Sequence, residues 1–281
     1  MPIVKLRNSG LGISAKNIQM KHIIKFFINL VPRKYIQLVS HIASKFLALF
    51  YMGNKVECPV CGHHYRRFLP YGYVTPRENA LCPNCLALER HRLMWLFLKE
   101  KTNFFTDKIK LLHVAPEYCF INRFEKLDHI DYITADLESP LAKVKMDVQN
   151  IPFPDNHFDV LFCNHIMEHV DDYVVALKEL YRVLKPGGWG IIQSPVNNKR
   201  ETTYEDKNIT SPAEREKHFG QKDHLREFGN DYAMQLAKGG FTVDSNEFIK
   251  TLSNETIEKY GLLAYESITI EETIFVVSKR L

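Results

Sequence analysis

The sequence predicts an α/β protein: a mostly parallel sheet with helices on both faces, preceded by a small cysteine-bearing module and basic amphipathic helices. Three observations predict it. Between Asp147 and Pro195 a strand, a helix and a strand follow one another with short joints, the arrangement of a βαβ unit. Two apolar runs before it, Lys110–Ala115 and Asp131–Asp136, read as further buried parallel strands. Upstream, four of the six cysteines stand as two C-x-x-C pairs.

Within the βαβ unit, Phe158–Cys163 is a short apolar run suited to a fully buried strand. Asp171-Asp172 puts two carboxylates where a helix dipole favours them, and Val174, Leu177, Leu180, Tyr181 and Leu184 recur at helical spacing. Pro186-Gly187-Gly188 stops that helix and Trp189–Ile192 starts the next strand. Val144–Val148 is expected as a third strand. Only ten residues separate Asp136 from Asp147, so the helix normally found between such strands is expected to be missing or a single turn. Further on, Tyr232–Lys238 reads as a helix closed by Gly239-Gly240. Phe241–Val243 opens a strand, and Thr273–Ser278 is the last one.

At 281 residues the chain can hold one full α/β domain plus an extension. The net charge of +4 is unevenly placed: residues 1–56 carry nine Lys/Arg and no acid, leaving 28 basic and 33 acidic residues beyond them. The basic character belongs to the N-terminal segment, which argues against a nucleic-acid-binding core. Residues 17–31 and 35–52 read as two basic amphipathic helices, and no uncharged apolar run reaches the ~18 residues of a spanning helix. Residues 17–52 suit a peripheral contact with an anionic membrane face; packing on the rest of the chain or on a partner is the other reading. The chain opens with no signal-peptide pattern, and the expected location is the reducing cytoplasm. The division expected is 1–56 helical, 57–100 cysteine module with a linker helix, and 101–281 sheet domain.

Cys58-Pro-Val-Cys61 and Cys82-Pro-Asn-Cys85 lie twenty residues apart, the spacing of a zinc ribbon in which two turns each deliver two thiolates to one tetrahedral ion. With Cys58, Cys61, Cys82 and Cys85 all thiolates, the site reads as closed and structural.

Four pieces in order, Ile151–Asp155, Phe158–Val160, Met167–Val170 and Arg182–Gly188, resemble class I S-adenosylmethionine (SAM) dependent methyltransferases of the small-molecule type. The resemblance implies a Rossmann-like methyltransferase sheet and SAM as cofactor. The cysteine module, Glu89–Arg92 and Leu112–Glu117 together resemble a bacterial subgroup often associated with surface-polysaccharide synthesis. In the subgroup reading the helix carrying Glu89–Arg92 covers the cofactor site, with Arg90 or Arg92 facing a carboxylate; a solvated charged face is the other reading.

The chain departs from the family at the first strand end. His113 takes the place of the usual acid, and Ala115, Glu117 and Cys119 take the glycine places. Ala115 is small enough to keep the close backbone approach, and Glu117 is the candidate to hold the cofactor's amino group. The resemblance assigns the ribose to Asp136 and the adenine amine to Asp147, with His165 lining the cofactor or substrate pocket. Cofactor candidates are Ala115, Glu117, Asp136, Asp147, Val148, Asn164 and His165.

His165, Glu168 and His169 would share one face if helical. They match H-x-x-E-H, but the flanking strand and P-G-G turn belong to the sheet fold, so Glu168 and His169 are expected to support the loop. A polar insertion from Glu201 to Arg226 suits a hydroxyl-bearing acceptor such as a sugar. His224, His218 and His165 are the candidate bases, because imidazole titrates near neutral pH, with Asp223 and Arg226 placed to orient His224 or a substrate. The expected activity is SAM-dependent methyl transfer to a small polar acceptor. The alternative is a methyltransferase-like scaffold that has lost SAM along with its glycines.

Overall fold

The computed structural model describes residues 44–72, 76–263, 269–270 and 272–281. The basic helices expected over 17–52 therefore lie outside the described residues except for their end, where residues 44–51 are helical. Residues 44–281 form one compact unit. No helix among the described residues is long and apolar enough to cross a membrane.

The cysteine module comes first. Strands β1 (Met52–Glu57) and β2 (His64–Tyr65) pair antiparallel around the first cysteine turn, and β3 (Leu69–Tyr71) pairs with β4 (Arg77–Leu81) ahead of the second. Helix α1 (Glu89–Lys101) follows. The sheet domain then runs β5 (Ile109–Val114), α2 (Tyr118–Phe124), β6 (Ile130–Asp136), β7 (Val144–Lys145), β8 (Phe158–Asn164), α3 (Tyr173–Val183) and β9 (Leu184–Gln193). An insertion carries β10 (Val196–Asn197), β11 (Tyr204–Glu205), α4 (Pro212–Phe219) and β12 (Arg226–Glu227). The chain closes with α5 (Tyr232–Ala237), β13 (Thr242–Asn246), α6 (Asn254–Tyr260), β14 (Thr269–Ile270) and β15 (Ile274–Ser278).

The main sheet has seven strands in the order β13-β15-β9-β8-β5-β6-β7. The β5, β6, β7, β8 and β9 pairings are parallel, whereas β15 runs antiparallel to both its neighbours. The order reverses at β5, which lies between β6 and β8. In open α/β sheets that switch point is where ligands bind, at the carboxyl ends of the strands.

Alternation along the buried strands fills a core on each face. Leu111, Val160, Phe162 and Ile191 face one side, with α1, α2 and the cysteine module. Leu112, Leu161, Cys163 and Ile192 face the other, with α3. Helix α1 is buried on nearly every side because it lies between module and sheet. Helix α3 starts where Asp172 accepts hydrogen bonds from the backbone N–H groups of Val174 and Val175. The P-G-G residues do not stop α3, which ends at Val183; they lie inside β9, which begins at Leu184 rather than Trp189. There the glycines serve close strand approach: a Cβ on Gly188 or Gly190 would lie 2.9 Å from Asp159 O or 2.7 Å from Leu161 O.

Two further readings need correction. The third strand ends at Lys145 because Asp147 turns the chain, its carboxylate accepting from Gln149 N at 2.8 Å. The segment His165–His169 is not helical: it forms a turn, with His165 at φ 56°. The helix between β6 and β7 is absent, as the short spacing required.

Candidate functional site

The ends of β5, β6 and β8 carry the candidate site. His113 is fully buried at the end of β5. Its Nδ1 meets the Tyr132 hydroxyl at 2.8 Å, and its Nε2 meets the Glu117 carboxylate. Burial, with the nearby Glu117 charge, pushes the Tyr132 phenol up, so its O–H donates to Nδ1 and leaves Nε2–H to donate to Glu117. Glu117 caps the start of α2, and its other oxygen accepts from Asn164 Nδ2 at 2.8 Å. Burial pushes this carboxyl up, but His113 and the Asn164 bond outweigh it and hold Glu117 well below the usual carboxylate range. Ala115 adopts φ 49°, the left-handed conformation that glycine would take.

Three buried polar atoms at these strand ends and on α1 have no partner: Oδ1 of Asn164, whose amide donates to Glu117, His165 Nε2 and His91 Nε2. His91 accepts from Leu88 N at its Nδ1, so its Nε2 carries the proton. Burial keeps it neutral, and it lies close enough to Glu117 and His165 for their charges to act on it. Unpartnered donors and acceptors close to a buried charge fit a polar ligand. The sequence reading missed His91; its only signal was its place between Arg90 and Arg92.

Those two arginines part company. Arg92 is wholly buried, and its hydrogen bonds go to main-chain carbonyls. Its guanidinium donates to Ala80 O, Ala87 O, Tyr260 O and Gly261 O and sits 4.1 Å over the Phe68 ring. It ties the cysteine module to the C-terminal segment. Arg90 is half-buried, and its charge helps depress the His91 imidazole.

Asp136 ends β6 half-buried, with Oδ1 accepting from Glu138 N and Ser139 N at 2.8 and 2.6 Å, which leaves Oδ2 to face a ligand. Leu137 beside it is 54% exposed. Asp147 is exposed in its turn, and the Val148 side chain belongs to the core, so only the Val148 main chain is left for contact. A cleft of about 690 Å³ beside Phe97, Trp189 and Phe248 shares none of these residues.

The insertion folds onto the loop after β8. Arg226 is buried and donates to Met167 O, Val170 O and Asp171 O and to Glu205. It fixes the loop and does not orient His224, contrary to expectation. His224 is buried and held by a hydrogen bond from Nδ1 to Phe219 O; burial lowers its pKa. His218 is half-buried at the end of α4, against Tyr204 and Phe219. Only His165 stands at a strand end, its backbone N–H bonded to Gln193 O at 2.7 Å. Its Nδ1 lies 3.4 Å from Glu168 Oε1.

The four module cysteines are all free thiols whose sulfurs lie within 4.8 Å of one another. Cys58–Cys85 and Cys61–Cys82 are 3.5 and 3.7 Å apart, close to the ~3.8 Å edge of a tetrahedron with ~2.3 Å metal–sulfur bonds. The two turns repeat each other. Gly62 N bonds Cys58 O and Leu86 N bonds Cys82 O, with Gly62 at φ 70° and Leu86 at φ 61°. The donor set and spacing fit zinc.

Residues 121–192 match the family described as a methyltransferase domain. A demethylmenaquinone methyltransferase from Geobacillus sp. is 50% identical over 54 residues, which is 18% of this chain and 23% of that protein. A tRNA U34 carboxymethyltransferase from Nautilia profundicola is 25% identical over 193 residues, 68% of this chain and 60% of that protein. The chain thus spans about a quarter of the length of the first of these relatives. Among solved structures, a putative methyltransferase from Bacillus halodurans is 15% identical, with a TM-score of 0.41, over 68% of this chain and 99% of the other. The methyltransferase match spans α2 to β9, so the cysteine module and the insertion lie outside it.

Proposed function

We propose that the protein is a SAM-dependent methyltransferase acting on a small polar acceptor. The observation that carries this is the buried Glu117 carboxylate, gripped by His113 and Asn164 among unpartnered polar atoms at the sheet's switch point. A sulfonium nucleoside with an amino-acid tail answers each need. Its ammonium suits Glu117 and Asn164 Oδ1, its carboxylate suits His91 Nε2–H with Arg90 beside it, and its ribose suits Asp136 Oδ2. Asp147 and the Val148 main chain serve the adenine. SAM supplies the methyl group; the chain's residues orient it and exclude water. His165, with Glu168 behind its Nδ1, is the candidate to take the acceptor's proton.

The named relatives point to a quinone precursor or a tRNA uridine. The acidic balance of residues 57–281 favours a small acceptor over a nucleic acid, and the polar insertion suits a hydroxyl-bearing one such as a sugar. The cysteine module is read as a closed zinc site that fixes the start of α1 and, through it, His91.

Comparing SAM with 5′-methylthioadenosine, which lacks the amino-acid tail, tests the assignment. Wild type should bind SAM at least ~10-fold more tightly, and Glu117→Gln should remove most of that preference. Equal affinities in wild type would refute the role given to Glu117. A scaffold that has lost SAM would bind neither.

A further inference from the structure

We propose that Glu168, His169 and His224 form a second metal site, for a divalent first-row transition ion, separate from the four cysteines. One donor atom from each of the three residues lies within 4.8 Å of the others. Glu168 is 2% exposed; its Oε2 accepts from Ser194 Oγ at 2.8 Å, while its buried Oε1 has only the long 3.4 Å approach of His165 Nδ1. A buried carboxylate oxygen so weakly bonded has a lone pair left for a cation.

The two imidazoles are set for the same task. His224 Nδ1 donates to Phe219 O at 3.0 Å and His169 Nδ1 donates to Asp223 O at 3.2 Å. A ring whose Nδ1–H is committed to a carbonyl presents the Nε2 lone pair, the tautomer that a metal ligand needs. The rings stand edge to face with centroids 4.8 Å apart. An Asp223 carboxylate oxygen 3.8 Å from His169 Nδ1 adds negative charge.

The frame is rigid: Leu225 N bonds Glu168 O, and Arg226 grips the carbonyls on both sides of the turn. Two imidazoles and one carboxylate suit Zn²⁺, Fe²⁺, Mn²⁺ or Co²⁺, whereas Ca²⁺ and Mg²⁺ take mainly oxygen. Ligands ~2.1 Å from a tetrahedral ion stand about 3.4 Å apart, so binding draws donors that lie within 4.8 Å of one another together by at most about 1.4 Å. Three protein ligands leave coordination open. The site lies where β8 and β9 end; granted the methyltransferase reading, the open position is where an acceptor oxygen binds.

Titrating the metal-stripped full chain with Co²⁺ tests this. Wild type should take one equivalent with a near-ultraviolet thiolate band, from the cysteines, and a second without it. Glu168→Gln and His169→Ala should each abolish the second equivalent and keep the thiolate band, which also reports that the module has folded; His169 is one-third exposed and tolerates truncation. A wild type with only the thiolate-bound equivalent, or a second equivalent unchanged in both variants, would overturn the site. SAM binding on the same samples separates the two readings: its loss with both metals bound counts against the methyltransferase alone.

Discussion

His113 donates a hydrogen bond to the carboxylate of Glu117 from within β5, so the negative charge at this strand end sits on the loop after the strand. His113 occupies the position that resemblance assigns to an acid, and the acid has moved four residues along the chain. His113→Ala would leave Glu117 buried with half its support. SAM affinity should fall at least ~10-fold, with His113→Gln, which can still donate, falling less. Calorimetry on the three proteins checks the order.

The same pair sets a pH dependence. Glu117 is held below its unfolded value, so its contribution to stability is complete above the ordinary Glu pKa of ~4.3. It is lost as pH falls towards the lower folded value. Urea midpoints of wild type and Glu117→Gln should therefore differ most above about pH 5 and converge in acid. A difference constant from pH 7 to pH 3 would contradict the pairing.

Arg92 joins segments distant in the sequence through four carbonyls. Arg92→Ala orphans all four and opens a gap over Phe68; the expected loss is at least about 3 kcal/mol in urea unfolding. Arg92→Lys should recover only a small part, because an ammonium cannot reproduce the guanidinium fork.

At the β8–β9 contact the obstacle is backbone, which cannot swing aside. Gly190→Ala should cost about 1–3 kcal/mol, because its Cβ would meet Leu161 O at 2.7 Å. Gly62→Ala meets nothing within 4 Å and sits at φ +70°, so it should cost only the left-handed strain of roughly 1–2 kcal/mol. Thermal unfolding with zinc present compares the two.

What was legible in the sequence was local. The Asp172 cap and the paired cysteine turns each lie within a few residues and carry their own chemistry, so the start of α3 and the module could be read directly. The P-G-G residues, which read as a helix stop, lie instead inside β9 because the strand pairing with β8 extends back to Leu184. The turn at His165–His169 could not, because the Arg226 guanidinium that grips its carbonyls comes from the insertion. Arg92 read as facing either a carboxylate or solvent for the same reason: the carbonyls that bury it include Tyr260 and Gly261. His91 gave no pattern at all, since its place in the site follows from α1 being caught between module and sheet.

Calorimetry of the full chain with SAM tests the central claim most directly. One-site binding in wild type, weakened at least ~10-fold in Asp136→Ala while the fold is retained, is the predicted result. No heat and no thermal shift in wild type, or an Asp136→Ala protein with undiminished affinity, would contradict it.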